Sequence, residues 1–182
     1  MSISPQTQAA ELEAIRNPAT RDDAFARLVE VTSRQLYAVI RNIVQVHDDA
    51  DDVLQNTYVK AWQALPSFRG DAQLSSWLYK IAVNESLSFL SKRRDTLSLS
   101  DDADRELQIE SDPYFDGDET ELMLQQAIAQ LPDKQRAVFT LKYFEEMKYE
   151  EMSKLLDTSV GALKASYHLA VKKIEKYFSE HD

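Results

Sequence analysis

The sequence predicts an all-α protein: two small helical domains joined by an acidic, flexible linker. Apolar residues recur at three- and four-residue steps through most of the 182 residues, and only 3 glycines and 5 prolines interrupt them. Alternating β-branched runs, the mark of strands, are few. The charge is also segregated. Between Asp101 and Glu121, ten acids face Arg105 alone, so this stretch holds nine of the ten net negative charges. With Pro113, Gly117 and little apolar periodicity, it reads as a solvated, self-repelling connection. The expected organisation is an N-terminal arm over 1–21, a helical domain over 22–95, the linker over 96–119 and a second helical domain over 120–182.

In the first domain, Asp22-Asp23 opens a helix whose apolar positions are Phe25, Leu28, Val29, Leu36, Tyr37, Val39, Ile40, Ile43 and Val44. A polar break, Val46-His47-Asp48-Asp49, separates it from a helix expected over 50–65. There Leu54, Tyr58, Ala61, Trp62 and Leu65 form the inward stripe, while Asp51, Asp52, Gln55, Asn56 and Lys60 turn to water. Pro66 to Asp71 stops that helix as a loop. A helix over 75–94 follows, with Trp77, Leu78, Ile81, Ala82, Leu87 and Leu90 inward and Lys92-Arg93-Arg94 at its end, where cations suit the dipole.

The second domain has the layout of a helix-turn-helix, a motif that lays one helix in the major groove of DNA. Leu131-Pro132 opens its first helix, since proline suits a first turn where its missing N–H costs nothing. Met152, Leu155 and Leu156 give a short second helix an apolar face. Asp157-Thr158-Ser159 forms the turn, and Ser159 is a good N-cap for the next helix. In that helix Val160, Leu163, Tyr167, Ala170, Val171, Ile174 and Phe178 make the packing stripe. Gly161, Ala162, Lys164, Ala165, His168 and Lys172 fall on other faces, with small residues at the helix start where a backbone can approach DNA closely.

Composition narrows the function classes. With 0 cysteines there is neither a disulfide framework nor a thiolate metal site. The N-terminus lacks a basic segment followed by an apolar run, and no apolar run approaches the ~20 residues needed to span a bilayer. The reading is a cytoplasmic protein without membrane insertion. A net charge of −10 argues against a nucleic-acid partner, but its confinement to one segment leaves the rest free to carry basic faces.

Two separated blocks resemble one family, the extracytoplasmic-function sigma factors of bacterial RNA polymerase. The first is DDADDVLQNTYVKAWQALPSFRG (48–70) followed by LSSWLYKIAVNESLSFLSKRR (74–94), similar to that family's region 2; the second is 131–178, similar to its region 4. The resemblance implies a non-enzymatic protein without metal or cofactor that binds core polymerase, at the β′ clamp and β flap, and promoter DNA. It also implies control by an anti-sigma factor. Carried onto this sequence, Asp51, Asp52, Gln55, Asn56 and Lys60 would face the polymerase. Phe68, Arg69, Asp71, Lys80, Asn84, Lys92, Arg93 and Arg94 would serve the −10 element, with Trp77 read as core and Phe68 open between core and base contact. Ser159, Gly161, Lys164, Ser166, His168, Lys172 and Lys173 would serve the −35 element. Two departures stand out: Asp157 where many members have Gly, tolerable because Asp enters left-handed turns, and Ser166 near a common Arg, which removes a charge contact.

Two rivals compete. A two-domain helix-turn-helix regulator would bind DNA without polymerase and carry a sensing pocket. A metal-dependent phosphoesterase would use His47, Asp48, Asp49, Asp51 and Asp52, but adjacent acids on one turn point in different directions and no distant partner completes the site.

Overall fold

The computed structural model describes residues 5–70, 73–97 and 119–181, with side chains at 10–70, 73–94 and 119–181. Among the described residues every regular element is a helix: α1 (Pro5–Arg16), α2 (Arg21–Val44), α3 (His47–Ala64), a 3-10 turn (Leu65–Ser67), α4 (Leu74–Leu97), α5 (Glu119–Ala129), α6 (Asp133–Tyr143), α7 (Tyr149–Leu156) and α8 (Val160–His181). The all-α expectation holds. No described helix is long and apolar enough to cross a membrane.

α2, α3 and α4 pack around Leu36, Val39, Ile40, Ile43, Val53, Leu78 and Val83, each 2% exposed or less. Burying a side chain of this size contributes roughly 1.5–3 kcal/mol. The Asp22 and Asp23 carboxylates sit in the first turn of α2, as their charge favours. That helix ends at Gln45, whose φ of 71° turns the chain through the left-handed region.

α3 differs from expectation at its start. Only Gln45 and an extended Val46 separate it from α2, and His47, Asp48 and Asp49 belong to its first turn. The polar run is a helix N-terminus, with acids where backbone N–H groups lack partners. Its innermost residues are Ala50, Val53, Thr57 and Ala61, while Leu54, Tyr58 and Trp62 are half-buried against the same core.

α1 adds Ile15, 4% exposed, to that core, so part of the segment expected as an arm packs with the first unit. A second, smaller core joins Ala127 and Ile128 of α5, Leu131 of the turn after it, Phe139 of α6, and Ala170 and Ile174 of α8. The two units are in contact. Ala137, Val138, Leu141, Met152, Leu155 and Leu163 belong to the core built mainly by α2–α4. Residues 98–118, most of the expected linker, lie outside the described residues.

Candidate nucleic-acid interface

α7 and α8 form the expected turn. α7 ends at Asp157, whose φ of 50° and ψ of 47° place it in the left-handed region, and the Asp157 N–H donates to the Ser153 carbonyl. The Ser159 hydroxyl then accepts from the Ala162 N–H at 3.2 Å, the N-cap its sequence position suggests. Beyond the cap, Leu163, Ala170 and Ile174 bury one face of α8. Gly161, Ala162, Lys164, Ala165, His168 and Lys172 are all exposed. Lys164, His168 and Lys172 follow at four-residue steps and therefore share a face. The Lys164 ammonium lies 5.7 Å from the centre of the Tyr149 ring, which the Lys142 ammonium also approaches at 5.1 Å. Two residues assigned to the −35 set stand apart from this stripe. Lys173 donates to Gln135 Oε1 on α6 at 2.9 Å, and Ser166 is half-buried.

On α4, Lys80, Asn84 and Lys92 are exposed at four-residue steps with Ser88 between them. The remaining cations do not extend that face. Arg93 pairs with Asp49 of α3, and Arg94 reaches Asp133 of α6 at 3.2 Å. Lys80 donates to the Lys154 carbonyl of α7 at 3.2 Å. Positive charge at this helix end is thus spent partly on internal contacts, which a sequence pattern has no means to reveal. Phe68 is half-buried with its ring 4.9 Å from that of Trp77, so both belong to the margin of the core. Arg69 is exposed; Asp71 lies outside the described residues.

The outer face of α3 presents Asp51, Asp52, Gln55, Asn56 and Lys60, all exposed. Lys60 is braced by Glu85 of α4 at 2.5 Å, and Asp51 lies 3.6 Å from His47 Nε2. Val59, which the sequence reading passed over, is 49% exposed within this polar face. Its signal was its position, four residues after Gln55 and three after Asn56, off the inward stripe.

The Asp49 carboxylate, in the first turn of this helix, has a displaced titration. Burial holds its pKa above the ordinary 3.8; Arg93 pulls it down, while the charges of Asp52 and Asp48 push it up. The folded chain therefore holds this proton more tightly than the unfolded chain. In the window above 3.8, stability falls as pH rises through the folded pKa, the opposite of an ordinary salt-bridged aspartate. Asp49→Asn is expected to flatten that part of the stability profile, measured by urea unfolding at steps between about pH 4 and about pH 6.

Comparison with known proteins places this geometry. Residues 28–96 match the family model described as Sigma-70 region 2, and residues 121–174 match that described as Sigma-70, region 4. The chain is 30% identical over 169 residues to the RNA polymerase sigma-H factor of Pseudomonas aeruginosa, covering 84% of this chain and 85% of that protein. It is 28% identical over 165 residues to the ECF RNA polymerase sigma factor SigW of Bacillus subtilis, covering 85% and 88%. Among solved structures it is similar to the sigma factor RpoE of Bartonella quintana, crystallised with the anti-sigma factor NepR. There the TM-score is 0.70 at 25% identity, covering 85% of this chain and 96% of that one.

Proposed function

Because the chain belongs to the extracytoplasmic-function sigma factors, we propose that it docks on core RNA polymerase through the outer face of α3 and directs it to promoters. In this reading the loop before α4, together with Lys80, Asn84 and Lys92, takes the −10 element. The Lys164–His168–Lys172 face of α8 takes the −35 element in the major groove. The β′ clamp and the β flap are the polymerase surfaces engaged, and an anti-sigma factor is the antagonist. No bond is made or broken by this chain.

The observation that carries the reading is the α8 face. Small residues open the helix, three basic or protonatable side chains line one side, and a capped turn sets the helix off from its partner. Phosphate contacts of this kind fix register, and base-edge contacts supply preference. The net charge of −10 makes the free protein a weak DNA binder. Docking on the polymerase makes its second contact with the promoter intramolecular and raises its effective concentration.

Run-off transcription tests the proposal, with purified core polymerase and genomic fragments in the presence and absence of the chain. Discrete transcripts are expected only with it. The pair Lys164→Glu and Lys172→Glu is expected to lower them about tenfold, as two phosphate contacts become repulsive, while the protein still co-elutes with polymerase. A chain that does not associate with core polymerase would refute the role.

A further inference from the structure

α1 precedes the segment matched to region 2, which begins at residue 28. Its attachment is specific. Thr20 Oγ1 donates to the Ala14 carbonyl at 2.7 Å, and the Thr20 and Arg21 N–H groups donate to the Asn17 carbonyl at 3.0 and 2.9 Å. These bonds fold α1 back along α2 and seat Ile15 in the core.

The same helix reaches the loop between α3 and α4. Arg16 Nη2 donates to the Arg69 carbonyl at 3.0 Å, across 53 residues of sequence. Next to it, Gly70 has a φ of +85°, a conformation side chains rarely adopt. A Cβ built there would lie 3.3 Å from Leu12 Cδ1 and 3.6 Å from Arg16 Nη2, so α1 closes over the bare glycine. The Arg69 side chain stays exposed while its main chain is held.

We propose that α1 positions the loop that receives unstacked promoter bases, with Arg16 clamping the Arg69 main chain and Leu12 covering Gly70. This rests on the −10 role assigned above. A loop that must order itself on a single strand pays for that ordering out of binding free energy, and one held in advance does not. Arg16 touches no nucleic acid in this account; it is a positioning residue. A charge-assisted bond from a guanidinium to a carbonyl is strong enough for its loss to change capture by about tenfold.

The test compares the wild-type chain with Arg16→Ala and Arg16→Lys, each assembled with core polymerase. Arg16→Ala is expected to lower strand opening on a duplex promoter about tenfold, read by permanganate reactivity of unpaired thymines. It should also narrow the preference between a favoured and a substituted base on a template already unpaired at the −10 segment. Affinity for polymerase should not move, because Arg16 lies on α1 and outside the α3 face, and the melting temperature should fall by no more than the loss of one exposed hydrogen bond. Arg16→Lys, which keeps one donor, is expected to recover part of the loss. Gly70→Ala is an independent variant and should show the same two defects. Strand opening and base preference unchanged in Arg16→Ala would overturn the proposal. So would a loss that tracks a fall in melting temperature with base preference intact. If the wild-type chain itself opens no promoter, the sigma-factor reading fails, and this proposal fails with it.

Discussion

Replacing Arg136 by alanine is expected to cost about 3 kcal/mol and to split one unfolding transition into two. The residue is 6% exposed, and its guanidinium bridges elements far apart in sequence. Nη1 donates to the Ile43 carbonyl at 2.8 Å; Nη2 donates to Ala129 and Leu131 at 3.2 and 3.0 Å and approaches Asp133 Oδ1 at 3.4 Å. Ile43 lies in the last turn of α2, and Ala129 is the final residue of α5. Carbonyls at helix ends have no partner within their own helix. One cation therefore satisfies two such ends and complements both dipoles. Burial depresses the Arg136 pKa, and Asp133 opposes that, so the group stays charged at neutral pH. Alanine leaves three buried carbonyls without this donor, at about 1 kcal/mol each.

The split in the transition follows from where the probes lie. Both tryptophans, Trp62 and Trp77, are in the first unit, so fluorescence reports that unit while far-ultraviolet circular dichroism reports all the helices. Urea titrations by the two probes should coincide in the wild-type chain and separate in Arg136→Ala. Coincident curves in the variant would show that the shared core alone couples the units. The contact also bears on the proposed function. A compact chain of this length has a radius of gyration of about 16 Å. Promoter elements named −10 and −35 lie roughly 25 base pairs apart, or ~85 Å of duplex at 3.4 Å per step. Reading both at once requires the two units to separate, and Arg136 is one of the contacts they would give up, with Arg94–Asp133 and Lys80–Lys154.

What the sequence made legible was local. The inward stripe of α8 emerged where periodicity placed it, Ser159 caps it, and Asp157 takes the left-handed turn, because each depends on residues within one or two helical turns. The long helices of the first unit were legible for the same reason. The boundary before α3 was not: a run of His and Asp reads equally as a break or as a helix start, and two residues suffice for the reversal. Arg136 was invisible because a Lys-Gln-Arg run on an amphipathic helix signals solvent. Its burial depends on the α2 and α5 termini converging on it. Arg93 and Arg94 illustrate the converse, since cations that look available in sequence are committed to Asp49 and Asp133 by packing. α1 gave little periodic signal; its place is set by Ile15 and by bonds to the loop.

Val59→Glu is expected to weaken association with core polymerase about 30- to 150-fold while leaving the fold intact. A lone exposed valine ordinarily needs no explanation. This one is 49% exposed in a face made otherwise of Asp51, Asp52, Gln55, Asn56 and Lys60, on the side of α3 opposite Val53, Thr57 and Ala61. The geometry resembles an interface in miniature, with an apolar centre inside a polar rim. Covering the remaining half of a valine contributes about 1 kcal/mol, so Val59→Ala should lower affinity about fivefold. A glutamate there adds a carboxylate that must be desolvated without a partner, bringing the total to roughly 2–3 kcal/mol. Val31→Glu supplies the control. Val31 is 72% exposed on α2, outside this face, and the same change there should leave polymerase affinity alone. Binding measured by fluorescence anisotropy, beside melting curves for all three variants, separates docking from stability. Equal losses at Val31 and Val59 would trace the effect to charge alone and remove α3 as the docking face; an unchanged affinity in Val59→Glu would do the same.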